Sequence, residues 1–296
     1  MVELGVQSIY DDALKLNKRG HGVKEIADAT KLLKNAGFKV LYQMMPNLPG
    51  SSPARDLRMF KDLFADQRFR PDLLKIYPCA LVRGAPLYNL WKTGKYKPYS
   101  AKQLVGLVKL IKKNIPYYVR IQRITRDIPS HSIVAGPAKI SNLRQIVSGY
   151  CKCIRCREVK GNYDHKEKLY LFRQDYDASG SKEIFLAFEN KNRTKLYSLL
   201  RLRVNRVRHC YVAVIRELHT YGQLQPIASR CLTSGRSPQH RGLGRKLVKE
   251  AEKIAKKEFC VKKNAVISGI GVRQYYRNFG YELKDTYMVK EIQKGI

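Results

Sequence analysis

Near its C-terminal end the chain carries a glycine-rich run, Gln239-His240-Arg241-Gly242-Leu243-Gly244, directly before residues 245–258. There Leu247, Val248, Ala251, Ile254 and Ala255 recur on one face of a helix. A helix start leaves several backbone N–H groups unpaired and aimed at one point, and glycines let a ligand's phosphates reach that backbone with no Cβ in the way. The run therefore reads as a pyrophosphate cradle, with a plain glycine-rich turn as the alternative, and its neighbours decide between the two. Residues 168–173, 183–189, 197–204 and 211–218 precede it with strand-like alternation and turn-type connections, the pattern of successive antiparallel strands. A strand at 264–268, a short helix at 272–278 closed by Phe279-Gly280-Tyr281, and a last strand at 286–291 follow it.

The first half has a different rhythm. Val2, Leu4, Val6 and Ile9 mark a buried strand end, and Val23, Ile26, Ala27, Ala29, Leu32 and Leu33 recur at helical spacing before Gly37. A strand at 39–45, a helix at 55–64 and a strand at 72–77 complete a βαβ pattern, which implies a parallel sheet. Ligands of such sheets sit beyond the strand carboxyl ends, where Gln7, Met44, Met45 and Lys75 fall, although all four also suit a strand-end core. Three parallel strands leave an unprotected edge, so either further strands or the second half must cover it.

Charge narrows the partner. Lysine and arginine number 58 against 24 acidic residues, a formal charge of +34 that would repel itself without an anionic partner. Ten of these cations lie within residues 92–126 with no acidic residue among them, interleaved with Tyr96, Tyr99, Tyr117 and Tyr118. Cations neutralise phosphates and aromatic rings stack on unpaired bases, so Lys92, Lys95, Lys97, Lys109, Lys112, Lys113, Arg120, Arg123 and Arg126 are expected to face RNA. The alternative is a lysine-rich helix, 101–113, whose charges are merely solvated. No run of about eighteen apolar residues occurs and no apolar leader follows Met1, so a cytoplasmic protein with no membrane partner is expected.

Cys151, Cys153 and Cys156 place three thiols within six residues, spaced to converge on one soft cation. Zinc is the expected metal, and a structural site would draw a fourth ligand from elsewhere; His131, His165, His209 and Cys79 are the candidates. A redox disulfide and an iron–sulfur cluster are poorer matches to three thiols. Cys210, Cys231 and Cys260 are scattered and read, like Cys79, as ordinary core or half-buried residues.

The strand ending near Glu217, the Gln-x-x-Gly-x-Gly run opening a helix, the next strand and Tyr275-Tyr276-Arg277-Asn278-Phe279-Gly280-Tyr281 together resemble the acetyl-CoA core of the GNAT acetyltransferases. More narrowly, Ile215-Arg216-Glu217-Leu218-His219-Thr220-Tyr221-Gly222, Pro238 with the glycine run, and Ala265-Val266-Ile267-Ser268-Gly269 resemble the catalytic subunit of Elongator, a tRNA-modifying acetyltransferase. Gly5-Val6-Gln7-Ser8, Arg19-Gly20-His21, Met44-Met45-Pro46-Asn47-Leu48-Pro49 and the cysteine cluster extend that resemblance over the whole length.

The resemblance implies an α/β and α+β fold in which a partial radical SAM βα barrel (residues 1–90) is joined through a basic, cysteine-bearing region (91–165) to a GNAT-type acetyltransferase domain (166–296). In that family S-adenosylmethionine and a 4Fe-4S cluster generate a radical that activates acetyl-CoA, and C5 of the wobble uridine in tRNA becomes carboxymethylated. The cluster cysteines belong to a region that this chain lacks, so the chain alone is expected not to perform the radical step. By the same resemblance the backbone of Glu217, Leu218, His219 and Thr220 pairs with the pantetheine arm, and Gln239, Arg241, Gly242, Leu243, Gly244 and Arg245 form the pyrophosphate loop. Tyr276 lies near the thioester, where its hydroxyl can supply the proton a leaving thiolate needs, with Tyr275 expected to be the core aromatic of the pair. His219 or Glu217 is the candidate base, although His219 also suits a satisfied turn histidine. Further Elongator-type subunits or a second copy of the chain are candidate partners beside tRNA. A lysine N-acetyltransferase and a non-enzymatic, tRNA-binding sensor of acetyl-CoA are the rival readings; a site for basic tails should be lined with acid, which this chain is not.

Overall fold

Residues 1–126, 128–160, 164, 166–207, 210–222 and 242–292 are described by a computed structural model of the protein. The chain forms two units, Met1–Leu32 with Val40–Cys156, and Leu33–Lys39 with Arg157–Ile296. Residues 91–156, the basic stretch and the cysteines, thus fold with the first unit.

Up to Arg157 the chain runs β1 (Val2–Gln7), α1 (Asp11–Leu16), α2 (Val23–Asn35), β2 (Val40–Met44), α3 (Pro53–Ala65), β3 (Leu73–Ile76), β4 (Leu81–Val82), α4 (Pro86–Lys92), α5 (Ala101–Asn114), β5 (Arg120–Ile124), β6 (Ile133–Ala135), α6 (Leu143–Ile146) and α7 (Ile154–Arg157). Among the described residues β1, β2, β3 and β5 form one sheet in that order, and every pairing is parallel. The helices between them are well signalled. Ser52 caps α3, with Pro53 in its first turn, and Ser100 with Gln103 makes a reciprocal capping box on α5. Periodicity shows three of the four strands. The fourth, β5, carries Arg120, Gln122 and Arg123 around two buried isoleucines, Ile121 and Ile124, so it reads as charged surface. A register shift opposite Leu74 and Lys75 allows both isoleucines to face inward although they are three apart.

The chain continues through β7 (Tyr170–Ala178), β8 (Ser181–Glu189), β9 (Leu196–Val207), β10 (Cys210–Thr220), α8 (Leu243–Phe259), β11 (Lys263–Val266), α9 (Arg273–Arg277), β12 (Glu282–Lys284) and β13 (Tyr287–Glu291). Its sheet has the order β12-β13-β11-β10-β9-β8-β7, antiparallel throughout except where β10 meets β11. The apolar face of α8 (Leu247, Val248, Ala251, Ile254 and Ala255) is buried against Ile184, Leu186, Leu200, Leu202 and Ile215 of the sheet. Each large aliphatic side chain so buried contributes about 1.5–3 kcal/mol, which fixes the helix, and with it the preceding loop, over the sheet.

One buried carboxylate organises the other end of this unit. Glu183, 1% exposed, accepts hydrogen bonds from Arg203 Nη1 at 2.9 Å and Arg216 Nη2 at 2.9 Å, and Lys34 Nζ lies 3.8 Å away. Arg203 also donates to Asn35 Oδ1 at 2.6 Å, and Arg216 Nη1 to the carbonyl of Phe38 at 2.7 Å, so the segment Leu33–Lys39 is tied into the network. The turn at Gly37 (φ 81°) needs glycine, since a Cβ there would also lie 3.2 Å from Val214 Cγ1. Among the described residues no helix is long and apolar enough to cross a membrane.

Removing one partner from a buried ion pair costs about 3–5 kcal/mol, because the remaining charges stay buried without compensation. Glu183→Leu is therefore expected to lower the urea-unfolding free energy by about that amount, whereas Glu258→Gln, at an exposed pair with Arg173, should cost less than about 1 kcal/mol. Equal small losses in both variants would remove Glu183 from its organising role.

Candidate functional site

The site in the second unit arises where two strands part. β10 and β11 pair through Ala213/Asn264, Val214/Ala265 and Ile215/Val266, and Ile267 N donates to Ile215 O at 3.2 Å. Beyond that point β10 runs on to Thr220 beside β9, with a register shift between Ile215 and Glu217. Among the described residues, 217–220 have no strand on the β11 side, the arrangement in which a strand edge can pair with an extended ligand.

The start of α8 faces this opening. Gly242 stands at the N-cap in the left-handed conformation (φ 68°, ψ 17°), and among the described residues no side chain caps the helix, an arrangement that suits an anion at its first N–H groups. A cavity of about 620 Å³ joins the two features. Leu218 and Thr220 line it from β10; Gly242, Gly244 and Arg245 from the start of α8; and Val272, Tyr275, Tyr276, Asn278 and Phe279 from the region of α9. At Gly244 an added Cβ would lie 2.8 Å from the Tyr275 hydroxyl, so glycine there keeps the ring and the helix start in close approach.

The sequence-predicted residues divide. Leu218, Thr220, Gly242, Gly244, Arg245 and Tyr276 meet at the cavity, whereas Leu243 is buried in a small cluster with Val159 and Tyr197, so its side chain packs rather than binds. Gln239 and Arg241 lie outside the described residues. His219 is exposed, its ring 4.3 Å from that of Tyr221, and it does not line the cavity; along a strand, neighbours of Leu218 and Thr220 point the other way. The Glu217 carboxylate accepts from Lys39 Nζ at 2.8 Å and Arg201 Nε at 2.7 Å. Burial raises the Glu217 pKa, but Arg201 and Lys39 outweigh it and hold the group below the usual carboxylate range, which suits an ion pair and not a base.

The tyrosine pair is reversed from expectation. Tyr276 is 5% exposed and belongs to the core with Tyr281 and Met288, while Tyr275 is 38% exposed and stands edge-on to it at 5.3 Å. Adjacent helical residues point about 100° apart, so only one of the two can enter the core. Both still line the cavity. Burial, reinforced by Tyr275, pushes the Tyr276 hydroxyl well above the ordinary tyrosine value, so it stays protonated and can donate. Tyr275, Val272, Asn278 and Phe279 were not among the predicted site residues; only their closeness to Tyr276 along the chain could have flagged them.

In the first unit Lys92, Lys95, Lys97, Lys109, Lys113 and Arg126 are exposed, and Arg120 and Arg123 are half-buried. Lys112 corrects the expectation: it is 4% exposed on the inner face of α5, and its ammonium donates to the carbonyl of Val147, so it cannot face RNA. The tyrosines need the same correction. Tyr96, Tyr99 and Tyr118 are buried, with Tyr96 OH donating to Asn47 O at 2.9 Å and Tyr99 OH to Asp56 Oδ2 at 2.9 Å. Of the four, Tyr117 alone is half-buried, with Lys152 Nζ 5.6 Å from its ring centre.

The thiols of Cys151, Cys153 and Cys156 lie within 4.8 Å of one another, close enough to share one cation. Hydrogen bonds from Cys151 and Cys156 lower the Cys153 pKa, while the contact with Cys153 raises that of Cys151, so the three thiols share their protons. Among the described residues no fourth His, Cys, Asp or Glu joins them. Cys79 is buried apart from them, which pushes its thiol up to about 11, His131 lies beside a separate cavity, and His165 and His209 are outside the described residues.

Comparison with known proteins adds independent information. The family model of the radical SAM C-terminal domain matches residues 71–152. A tRNA uridine(34) acetyltransferase of Methanocaldococcus infernus is 45% identical over 98% of this chain and 57% of its own length. Elongator complex protein 3 of Saccharomyces cerevisiae is 42% identical over 98% of this chain and 55% of its own length. The solved structure of M. infernus Elp3 with an N-terminal deletion (1–46) matches with a TM-score of 0.87 at 44% identity, covering 98% of this chain and 72% of that one. The chain spans a little over half the length of these two curated relatives.

Three converging thiolates are expected to hold about one zinc ion per chain, with water or a further group completing the site. Cys153→Ser should lose most of that metal by elemental analysis, and Cys260→Ser, at an exposed thiol, should keep it. Equal metal content in the two variants would rule out the cluster as the metal site.

Proposed function

The chain belongs to the Elp3 family, and from that premise we propose that its second unit is a GNAT-type acetyltransferase domain that binds and cleaves acetyl-CoA in the modification of tRNA uridine 34. The first unit is then the C-terminal part of a radical SAM βα barrel that contributes to tRNA binding. The observation that carries the reading is the parting of β10 from β11 opposite an uncapped, glycine-led helix start. The strand edge at 217–220 suits an amide-bearing pantetheine arm, and the N–H groups of α8 with Arg245 suit a pyrophosphate. These are two of the parts of coenzyme A that a protein can recognise away from the acyl group.

The chemistry follows from the residues at the inner end. Cleavage of a thioester expels a thiolate, which leaves more readily when a donor is in place. Tyr276 is kept protonated by burial, and Tyr275 with its hydroxyl near Gly244 narrows the space beside it. Glu217 is committed to Lys39 and Arg201, so the attacking group draws no base from it. A metal bound by Cys151, Cys153 and Cys156 would have a structural role, tying the thiols to one another at the start of α7. By resemblance, S-adenosylmethionine and the 4Fe-4S cluster are bound through cysteines that are not among these residues.

The test is free CoA release with and without tRNA. Wild type is expected to show tRNA-stimulated release, and Tyr276→Phe to lose at least about a hundredfold in rate, the scale of a lost proton donor, with tRNA affinity within about twofold. Equal turnover in both would exclude Tyr276 from the mechanism; release that needs a lysine peptide instead of tRNA would make the chain a protein acetyltransferase. Gly244→Val should separately weaken acetyl-CoA binding about tenfold or more by closing the approach to the helix start, and unchanged binding would displace the cradle.

A further inference from the structure

Within the second unit β10 changes phase just where it leaves β11. Ala213 and Ile215 face the core beneath α8, and farther along Leu218 packs against that same core and lines the cavity with Thr220. In an unbroken strand every second residue shares a face, so passing from 213 and 215 to 218 and 220 requires one extra residue between them. The register shift between Ile215 and Glu217 supplies it as a bulge. Both bulge side chains, Arg216 and Glu217, reach partners on the opposite face of the sheet, Glu183 and Arg201.

That opposite face is covered by the segment Leu33–Lys39, which folds with this unit. Its turn lies close to the point of parting: a Cβ added at Gly37 would be 3.2 Å from Val214 Cγ1 of β10 and 3.4 Å from Ile267 Cγ2, just after β11. The same segment holds both bulge residues. Arg216 Nη1 donates to Phe38 O at 2.7 Å, and Lys39 Nζ donates to Glu217 Oε1 at 2.8 Å. Without these ties β10 has an alternative, a slip of one residue that removes the bulge. Such a slip turns every following side chain to the other face, so Leu218 and Thr220 would leave the cavity and Glu217 and His219 would enter it. A carboxylate there would repel an anionic ligand.

We propose that Lys39 is a positioning residue for the acetyl-CoA site: by pairing with Glu217 it holds β10 in the bulged register that points Leu218 and Thr220 into the cavity. The proposal rests on the acetyl-CoA reading above and adds Lys39 to it. Lys39 is not among the residues lining the cavity, so its influence on the ligand passes through Glu217 and the bulge. A ligand that binds only the bulged register has its affinity reduced by the fraction of chains that occupy that register. What the position requires is a cation long enough to reach the carboxylate, and arginine meets that requirement as lysine does.

The test is acetyl-CoA affinity by isothermal titration calorimetry for wild type, Lys39→Met, Lys39→Arg and a matched comparison, Lys290→Met. Lys290 Nζ lies 3.0 Å from Glu252 Oε1 with side-chain exposures of 27% and 17%, against 30% and 17% for Lys39 and Glu217, so loss of either pair disturbs packing to a similar extent. Lys39→Met is expected to weaken acetyl-CoA about tenfold, the loss when about a tenth of the chains keep the bulged register, while Lys39→Arg stays within about twofold of wild type. Lys290→Met should also stay within about twofold. Glu217→Gln makes the same comparison from the other partner and is expected to match Lys39→Met. Equal affinity in Lys39→Met and Lys290→Met, or a loss that Lys39→Arg does not restore, overturns the positioning role and leaves the acetyl-CoA reading standing. If wild type does not bind acetyl-CoA, that reading falls and the proposal falls with it.

Discussion

Every buried backbone N–H and C=O must find a partner, and the second unit is organised by where its described strands stop supplying one another's. β9 satisfies one side of β10 along its length, while β11 satisfies the other side only as far as Ile215. Among the described residues no strand covers the remaining edge, which is the geometry that suits an extended ligand. The core beneath makes this stable. α8 is anchored by five aliphatic residues on one face, so its uncapped start is held in place by packing and does not need a side chain to complete it. The ligand therefore completes hydrogen bonding that the fold has prepared at two points, a strand edge and a helix start.

Much of this was legible because it is local. The glycine run, the apolar stripe of α8 and the alternation in β8, β9 and β10 are periodic signals whose meaning does not depend on distant residues. What was not legible depends on partners far along the chain. Glu217 looks like a candidate base until Lys39, 178 residues away, is found at its carboxylate. Tyr99 looks like a stacking platform until Asp56 takes its hydroxyl, and Lys112 looks like a phosphate ligand until the inner face of α5 is known. β5 was hidden for a related reason: its arginines dominate the pattern, and the register shift that buries both isoleucines leaves no trace in the sequence. The order of Tyr275 and Tyr276 is the smallest case, since a rotation of one residue decides which ring enters the core.

The distribution of charge matters more than its total. Among the described residues four carboxylates, those of Asp56, Asp72, Glu183 and Glu189, are buried. Asp56 and Asp72 serve backbone and hydroxyl donors, while Glu183 and Glu189 are spent on internal arginines such as Arg203, Arg216 and Arg157. Acid used in this way cannot moderate the surface field. Residues 73–126 contain no carboxylate at all, so any counter-charge for the exposed cations of α4 and α5 must come from other segments. The Coulomb energy of such a surface falls when a polyanion displaces its bound small ions, and the released ions supply the entropy. Affinity for RNA that arises this way is strong but indifferent to sequence.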